Sequence, residues 1–288
     1  MTKVEGLRLL KNIIVICTRN RRDDLQNALA SVNTQTVSPD YVLIVDSSDA
    51  FIELRNNFNF SFVHIKSAKN LTFQRNVALS HLKSFSQYSL IHFFDDDVIL
   101  GPNYIDLISQ DFIRFPDVSG ICARTPGIKT KKPNLYKRIF LLDSESSGKV
   151  LSSGINVPFR NDHGVYEVEW LPGCCMSYRL SAITGRSFDE GRTGVGWGED
   201  VDFSYRLSLD SKLICDPHLE IVHKMSMLNR DSFLTQYVNV ILNRLKLQKI
   251  PGSKIKTFSI FWAILGEIPM LLGIKTRLCL QKLLTSED

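Results

Sequence analysis

The chain has 288 residues, 44% hydrophobic, 10% aromatic and 23% charged, which excludes a disordered or low-complexity protein and allows one large domain or two small ones. Its formal charge of +5 resides in the C-terminal tail: residues 243–288 carry eight basic and three acidic side chains, and residues 1–242 balance at 27 of each. A neutral main body argues against nucleic acid as its partner.

The opening segment, MTKVEGLRLLKNIIVICTRNR, has no secretory apolar core, because its one apolar run, Ile13–Cys17, is strand length and ends in charge. Further strand-length runs follow at Tyr41–Val45, Phe62–Ile65 and Leu90–Phe94. Between them, DDLQNALASVNTQ and NLTFQRNVALSHL space Leu, Ala and Val as helices do, with Asp23 and Asn70 as predicted N-caps. Strands alternating with helices predict an α/β fold whose mostly parallel sheet is covered on both faces. Such sheets bind ligands at the C-terminal ends of their strands, and Asp46 and the Asp95–Asp97 cluster lie at those ends.

Residues 126–159 weaken into Gly, Pro, Ser and Lys and predict an extended segment. YEVEWLPGCCMSYRLSAI then predicts a strand, a turn and a short helix, and GWGEDVDFSYRLSL a glycine-rich loop opening a helix. KLICD and LEIVHKMS are strand-like, and Ser232–Lys249 has a long helical pattern. The six cysteines (Cys17, Cys122, Cys174, Cys175, Cys215 and Cys279) form no CxxC pair and no zinc spacing, and read as buried thiols of a reducing compartment.

Two motifs carry chemistry. LIHFFDDDVIL drives three aspartates into an apolar run, where their mutual repulsion and burial are costly. A divalent cation offsets that repulsion, and carboxylates one residue apart can hold it while a neighbour reaches a ribose hydroxyl. The alternative is a solvated acidic turn or helix cap. GWGEDVDF places Glu199 and Asp200 where a glycine-rich loop feeds a helix; a carboxylate there serves as a general base, or simply caps the helix.

The segments together resemble the family 2 glycosyltransferases, inverting nucleotide-sugar enzymes of the GT-A fold. IIVICTRNR is similar to the family's first-strand VIxTYNR, VLIVDSSD to VVDDGSxD, LTFQRNVAL to GxAxARNxG, and HFFDDDV to the metal-binding FLDxD, the DXD motif. WLPGCCMSYR resembles PGxxMxxR, GWGEDVDFSYRL the GEDxDLxxR base motif, and IVHKMS a trailing HxxS. The resemblance implies that Asp46 and the backbone near Thr18 contact the nucleotide base, and that Arg75 binds base or diphosphate. Asp95 then lies near the ribose, Asp96 belongs to the same nucleotide-sugar seat, and Asp97 ligates Mg²⁺ or Mn²⁺ on the diphosphate. Asp200 is the implied base, with Glu199 shaping its electrostatics. His223 is implied as a metal or diphosphate contact, against a buried structural histidine. Trp170 and Trp197 stack on acceptor sugars in this reading, or pack in the core. The chain departs from the pattern at Ser47, Arg19 and Leu79, where the family usually has Asp, Tyr and Gly; none of these is a metal ligand or the base.

The implied activity is transfer of a hexosyl or deoxyhexosyl group from a UDP-, dTDP- or GDP-sugar to a glycan or lipid-linked hydroxyl, in cell-surface polysaccharide synthesis. The expected domains are 1–242, with a nucleotide-binding half to about residue 100 and an acceptor half from 101, and the basic tail 243–288. In the tail, Phe258–Gly273 is too short to span a bilayer, and Phe258, Phe261, Trp262 and Leu265 share one helical face between lysines. That pattern suits a helix lying on an anionic membrane, on the inner face of the cytoplasmic membrane, or a helix packing back on the domain or on a second chain. Two further alternatives are a nucleotidyltransferase and a non-catalytic membrane-associated module with a vestigial GT-A domain.

Overall fold

Ile13, Ile14, Val15 and Ile16 are all buried, as both faces of a strand are when helices cover the sheet on each side. They belong to β1 (Lys11–Thr18). The computed structural model describes residues 10–54, 57–85, 89–124, 132–160, 164–192, 198–224 and 233–284, with side chains of 233–234 and 273–284 excepted. β1 pairs in parallel with β2 (Tyr41–Asp46) and β4 (Ser89–Asp95), and β2 with β3 (Phe62–Lys66). The connecting helices are α1 (Arg22–Asn33), between β1 and β2, and α2 (Leu71–His81), between β3 and β4. Asn70 caps α2 as expected, accepting the Phe73 N–H at 3.1 Å. Asp23 does not cap α1. The helix starts two residues earlier than that cap would place it, so Asp23 falls in its first turn, where the helix dipole favours a carboxylate. The cap position belongs to Arg21, whose side chain reaches the aspartate cluster instead.

Beyond β4 the sheet turns mixed. Antiparallel β5 (Val98–Leu100) and β10 (Ile221–His223) form a separate ribbon, and α3 (Tyr104–Arg114) leads to β6 (Val118–Ala123). The stretch expected to hold one strand holds two, β7 (Tyr166–Val168) and β8 (Cys175–Arg179), and then α5 (Leu180–Ile183). β8 runs antiparallel between β4 and β6, while β9 (Lys212–Asp216) lies parallel to β6, giving the order β3-β2-β1-β4-β8-β6-β9-β7. Ser177 interrupts the apolar pattern of β8 because the buried His92 ring bonds its hydroxyl at 2.9 Å and the Asn12 amide at 3.0 Å. A buried imidazole needs such partners.

Residues 135–139 form a short helix, α4, inside the segment expected to be extended. α6 (Glu199–Ser208) follows the glycine-rich loop, and α7 (Phe233–Gln248) runs through residue 242, where the sequence suggested a boundary. α8 (Thr257–Leu284) packs its inner face on the body. Ile260 and Ala263 are buried, Trp262 donates its indole N–H to the Ile139 carbonyl at 2.8 Å, and its ring stacks on Phe140. Glu267 pairs with Arg244 of α7 at 2.6 Å and accepts the Tyr237 hydroxyl at 2.8 Å. Gly266 allows α4 this close: a Cβ there would lie 2.4 Å from the Phe140 Cβ. Gly266→Ala is therefore expected to destabilise the protein by about 1–3 kcal/mol, read as a lower urea midpoint with an unchanged slope. No helix among the described residues is long and apolar enough to cross a membrane.

Candidate active site

The three parallel strands end level, with Thr18 opposite Asp46 and Cys17 opposite Asp95. The chain past their C-termini thus collects Thr18, Asp46 and Asp95–Asp97 at one mouth. The β5–β10 ribbon adds a histidine: antiparallel register sets His223 opposite Val98, and its Nε2 lies 3.2 Å from Asp97 Oδ1. Asp95, Asp97 and His223 each offer one ligand atom, all within 4.8 Å of one another. Two carboxylate oxygens and one imidazole nitrogen fit a divalent cation. Burial works against a charge on His223, but the hydrogen bonds to Asp97 and Cys174 prevail and raise its pKa to about 10. Burial raises Asp95, with Arg75 opposing.

Asp96 points away from this triad. One carboxylate oxygen accepts the Thr18 hydroxyl at 2.7 Å and the other the Arg21 guanidinium at 3.0 Å. Burial pushes its pKa up to about 6 against both of those bonds. Its place is inside the loop, bracing Thr18 and Arg21, and not toward a nucleotide as the resemblance implied. Arg21 also stands 3.8 Å from Asp97 Oδ2, so a cation not foreseen from sequence lies beside the cluster.

Arg75 departs further from expectation. Its side chain is 3% exposed, and its donors go to Glu199 Oε1 at 2.5 Å, Asp95 Oδ1 at 3.4 Å and the Gly173 carbonyl at 3.0 Å. A guanidinium spent this way has little left for a diphosphate. It serves as a buried strut joining the metal-side carboxylate to the α6 side. Glu199 is itself buried; that burial and the neighbouring Asp200 charge lift its pKa to about 8, with Arg75 opposing. The same two carboxylates, Asp95 and above all Glu199, keep Arg75 firmly protonated despite its burial.

Asp200 stands in the first turn of α6, aimed by backbone. Its Oδ2 accepts the Gly173 N–H at 2.8 Å and its Oδ1 the Val201 N–H at 2.8 Å. Gly198 starts the helix at φ +73, in the left-handed region that favours glycine. Gly173 lets the backbone approach, since a Cβ there would lie 3.1 Å from Glu199 Oε1 and 3.3 Å from Asp200 Oδ2.

Asp46 is fully buried, and its oxygens accept the Ser48 N–H at 2.7 Å and the Ile52 N–H at 3.2 Å, with His64 Nε2 3.3 Å away. Burial would raise its pKa, yet these bonds hold it below the usual carboxylate range. The exposed group beside it is Phe51, half exposed and stacked on His64 at 4.1 Å between centroids. The Thr18 carbonyl is also engaged, by the Ser47 N–H and the buried Gln74 amide. Trp170 is 9% exposed, packed on Phe159, with its indole N–H donated to the Val157 carbonyl at 3.1 Å, which leaves little ring for an acceptor sugar. Trp197 lies outside the described residues. Sequence reasoning missed Arg21, Phe51, His64 and Gln74. For Arg21 a signal existed, since it follows the first strand end among charged residues.

The family model "Glycosyl transferase family 2" matches residues 13–183, more than half of the chain. Solved structures of similar fold include S. aureus TarS (TM-score 0.53, 16% identity, 83% of this chain and 40% of that one). TarS 1-349 in complex with UDP-GlcNAc aligns with TM-score 0.56 and 13% identity over 90% of this chain and 73% of that one. GalNAc-T7 with UDP, GalNAc and Mn²⁺ aligns with TM-score 0.55 and 13% identity over 90% of this chain and 54% of that one. The chain thus spans about 40% of the length of the TarS chain. No curated protein sequence matches it. The mixed sheet and its flanking helices share the GT-A fold of these structures, and the chain belongs to glycosyl transferase family 2.

Proposed function

We propose that the protein is an inverting, metal-dependent glycosyltransferase that moves a sugar from a nucleoside-diphosphate sugar to a hydroxyl of a glycan or lipid-linked acceptor, in cell-surface polysaccharide synthesis. The observation that carries this reading is the division of one mouth by the Arg75 strut, with Asp95, Asp97 and His223 on one side and Asp200 on the other. Asp95, Asp97 and His223 are the residues that would hold the ion; when bound, it supplies positive charge to the departing diphosphate. Mixed oxygen and nitrogen ligands favour Mn²⁺ over Mg²⁺, which prefers oxygen.

Asp200 takes the proton of the acceptor hydroxyl as that oxygen bonds to the anomeric carbon. The bond from that carbon to the diphosphate oxygen breaks with its electron pair, in one displacement that inverts the centre. Glu199 supports the single displacement, since a second carboxylate able to bond the sugar would have to be free, and this one is buried on Arg75. Free thiols at Cys17, Cys122, Cys174, Cys175 and Cys215 support a reducing, cytoplasmic location.

Because the similar structures named above include complexes with UDP and UDP-GlcNAc, the first donors to test are UDP-sugars, then dTDP- and GDP-sugars. One of them is expected to raise the melting midpoint only when Mn²⁺ is present, and the anomeric configuration of the product, read by NMR, is expected to be inverted. Absence of any donor effect with metal present would favour a non-catalytic GT-A module.

A further inference from the structure

α8 presents an apolar stripe to solvent on the side opposite its packed face. Phe258, Phe261, Leu265, Ile268 and Leu272 follow one another at spacings of three and four, and all are exposed, Phe258 at 77% and Leu272 at 61%. A stripe of this kind on a helix already fixed to the body is unusual for a soluble surface. It does not stand alone. Leu135 and Ile139 of α4 are exposed too, at 71% and 53%. The two sets are joined through the Trp262 bond to the Ile139 carbonyl and the Tyr136 hydroxyl bond to the Gly266 carbonyl at 2.7 Å.

The charge of the two helices and their flanks is mainly basic, with Arg138 of α4 paired to the exposed Glu145. Lys132, Lys249 and Lys256 are exposed, and Lys275, Arg277 and Lys282 continue the helix in sequence with no acid before Glu287. The one acid within α8, Glu267, is paired with Arg244. An apolar face on a segment with an excess of cations in its sequence complements a lipid surface of negative charge. A second copy of the chain fits less well. If the stripe were a coiled-coil seam, the next seam position would be Lys275. The flanking positions that usually hold pairing charges are Thr257, Trp262, Ile264, Pro269 and Leu271. We propose that the α8–α4 face docks the protein on an anionic membrane surface, lying in the interface without crossing it. This rests on the surface alone and stands apart from the catalytic reading.

The test is co-sedimentation of the full chain with phosphatidylcholine vesicles and with mixed phosphatidylcholine–phosphatidylglycerol vesicles. Binding is expected to the mixed vesicles, weakening as salt is raised. The double substitution Phe258→Glu and Leu265→Glu is expected to weaken it about tenfold or more, with unchanged circular dichroism because both side chains are exposed. Lys256→Glu is expected to weaken it less. Wild-type protein that ignores both vesicles, or binds phosphatidylcholine equally well, would overturn the proposal. So would a double variant that still binds, or a wild-type dimer in sedimentation equilibrium that the double substitution converts to monomer.

Discussion

Asp200→Asn is expected to lower sugar transfer by about 10²–10⁴-fold, the usual contribution of a general base, while donor affinity measured by calorimetry stays within about twofold. The substitution keeps the shape and the helix start and removes only the ability to accept a proton. Two backbone N–H groups, from Gly173 and Val201, hold the present carboxylate. An amide can satisfy one of them with its oxygen but not the other, so part of the loss reports orientation. Glu199→Gln separates the two contributions, because Gln keeps an acceptor for Arg75 while removing the ionisable group beside Asp200, which burial and the Asp200 charge lift to about 8. Its transfer is expected to fall by less than that of Asp200→Asn. A variant at Asp200 that kept half of the wild-type turnover, or a larger loss at Glu199 than at Asp200, would remove Asp200 from the role of base.

The same residues show what a sequence can and cannot carry. β1, β2 and β4 were legible because parallel strands buried on both faces read as unbroken apolar runs, as in Ile13–Ile16. Asp95, Asp97 and Asp200 were legible because their positions, at strand ends and a helix start, follow from those runs. The antiparallel β8 was not, because Ser177 breaks its pattern to serve His92, a partner 85 residues away. Arg75 illustrates a second limit. Its place in the chain brings it to the mouth, but whether its fork meets a phosphate or two carboxylates depends on Glu199, 124 residues later. Asp46 and Asp96 follow the same logic: each lies where the spacing puts it, yet local N–H, hydroxyl and guanidinium donors claim its oxygens. The tail posed two alternatives, a lipid face or a packed face. The packed face exists, and a separate apolar stripe lies outside it, because a helix whose sequence is apolar around most of its circumference buries only one side.

Mn²⁺ affinity is expected to rise steeply with pH from neutrality to about pH 10, with release of about one proton per ion bound. The reason is the state of His223 without the ion. Asp97 at 3.2 Å, helped by Cys174, raises the histidine to about 10 against burial, so near neutral pH it is an imidazolium. A metal ligand must be neutral imidazole. Deprotonating a group about three pH units below its pKa costs up to about 4 kcal/mol, which the ion must offset. The sign is opposite for the metal-free protein. A histidine raised above its ordinary value of 6.5 contributes stability that is complete below that pH and lost as pH rises through about 10. Raising the pH is therefore expected to weaken the metal-free fold while strengthening ion binding. The two trends separate this cause from general alkaline damage. Calorimetry of Mn²⁺ binding in two buffers of different ionisation enthalpy counts the proton directly. His223→Ala is expected to abolish the proton release and to flatten the pH dependence, and Asp97→Asn to abolish binding. If wild-type protein binds Mn²⁺ with flat affinity between about pH 7 and pH 9 and releases no proton, His223 remains paired to Asp97, and the ion is held by the carboxylates without it.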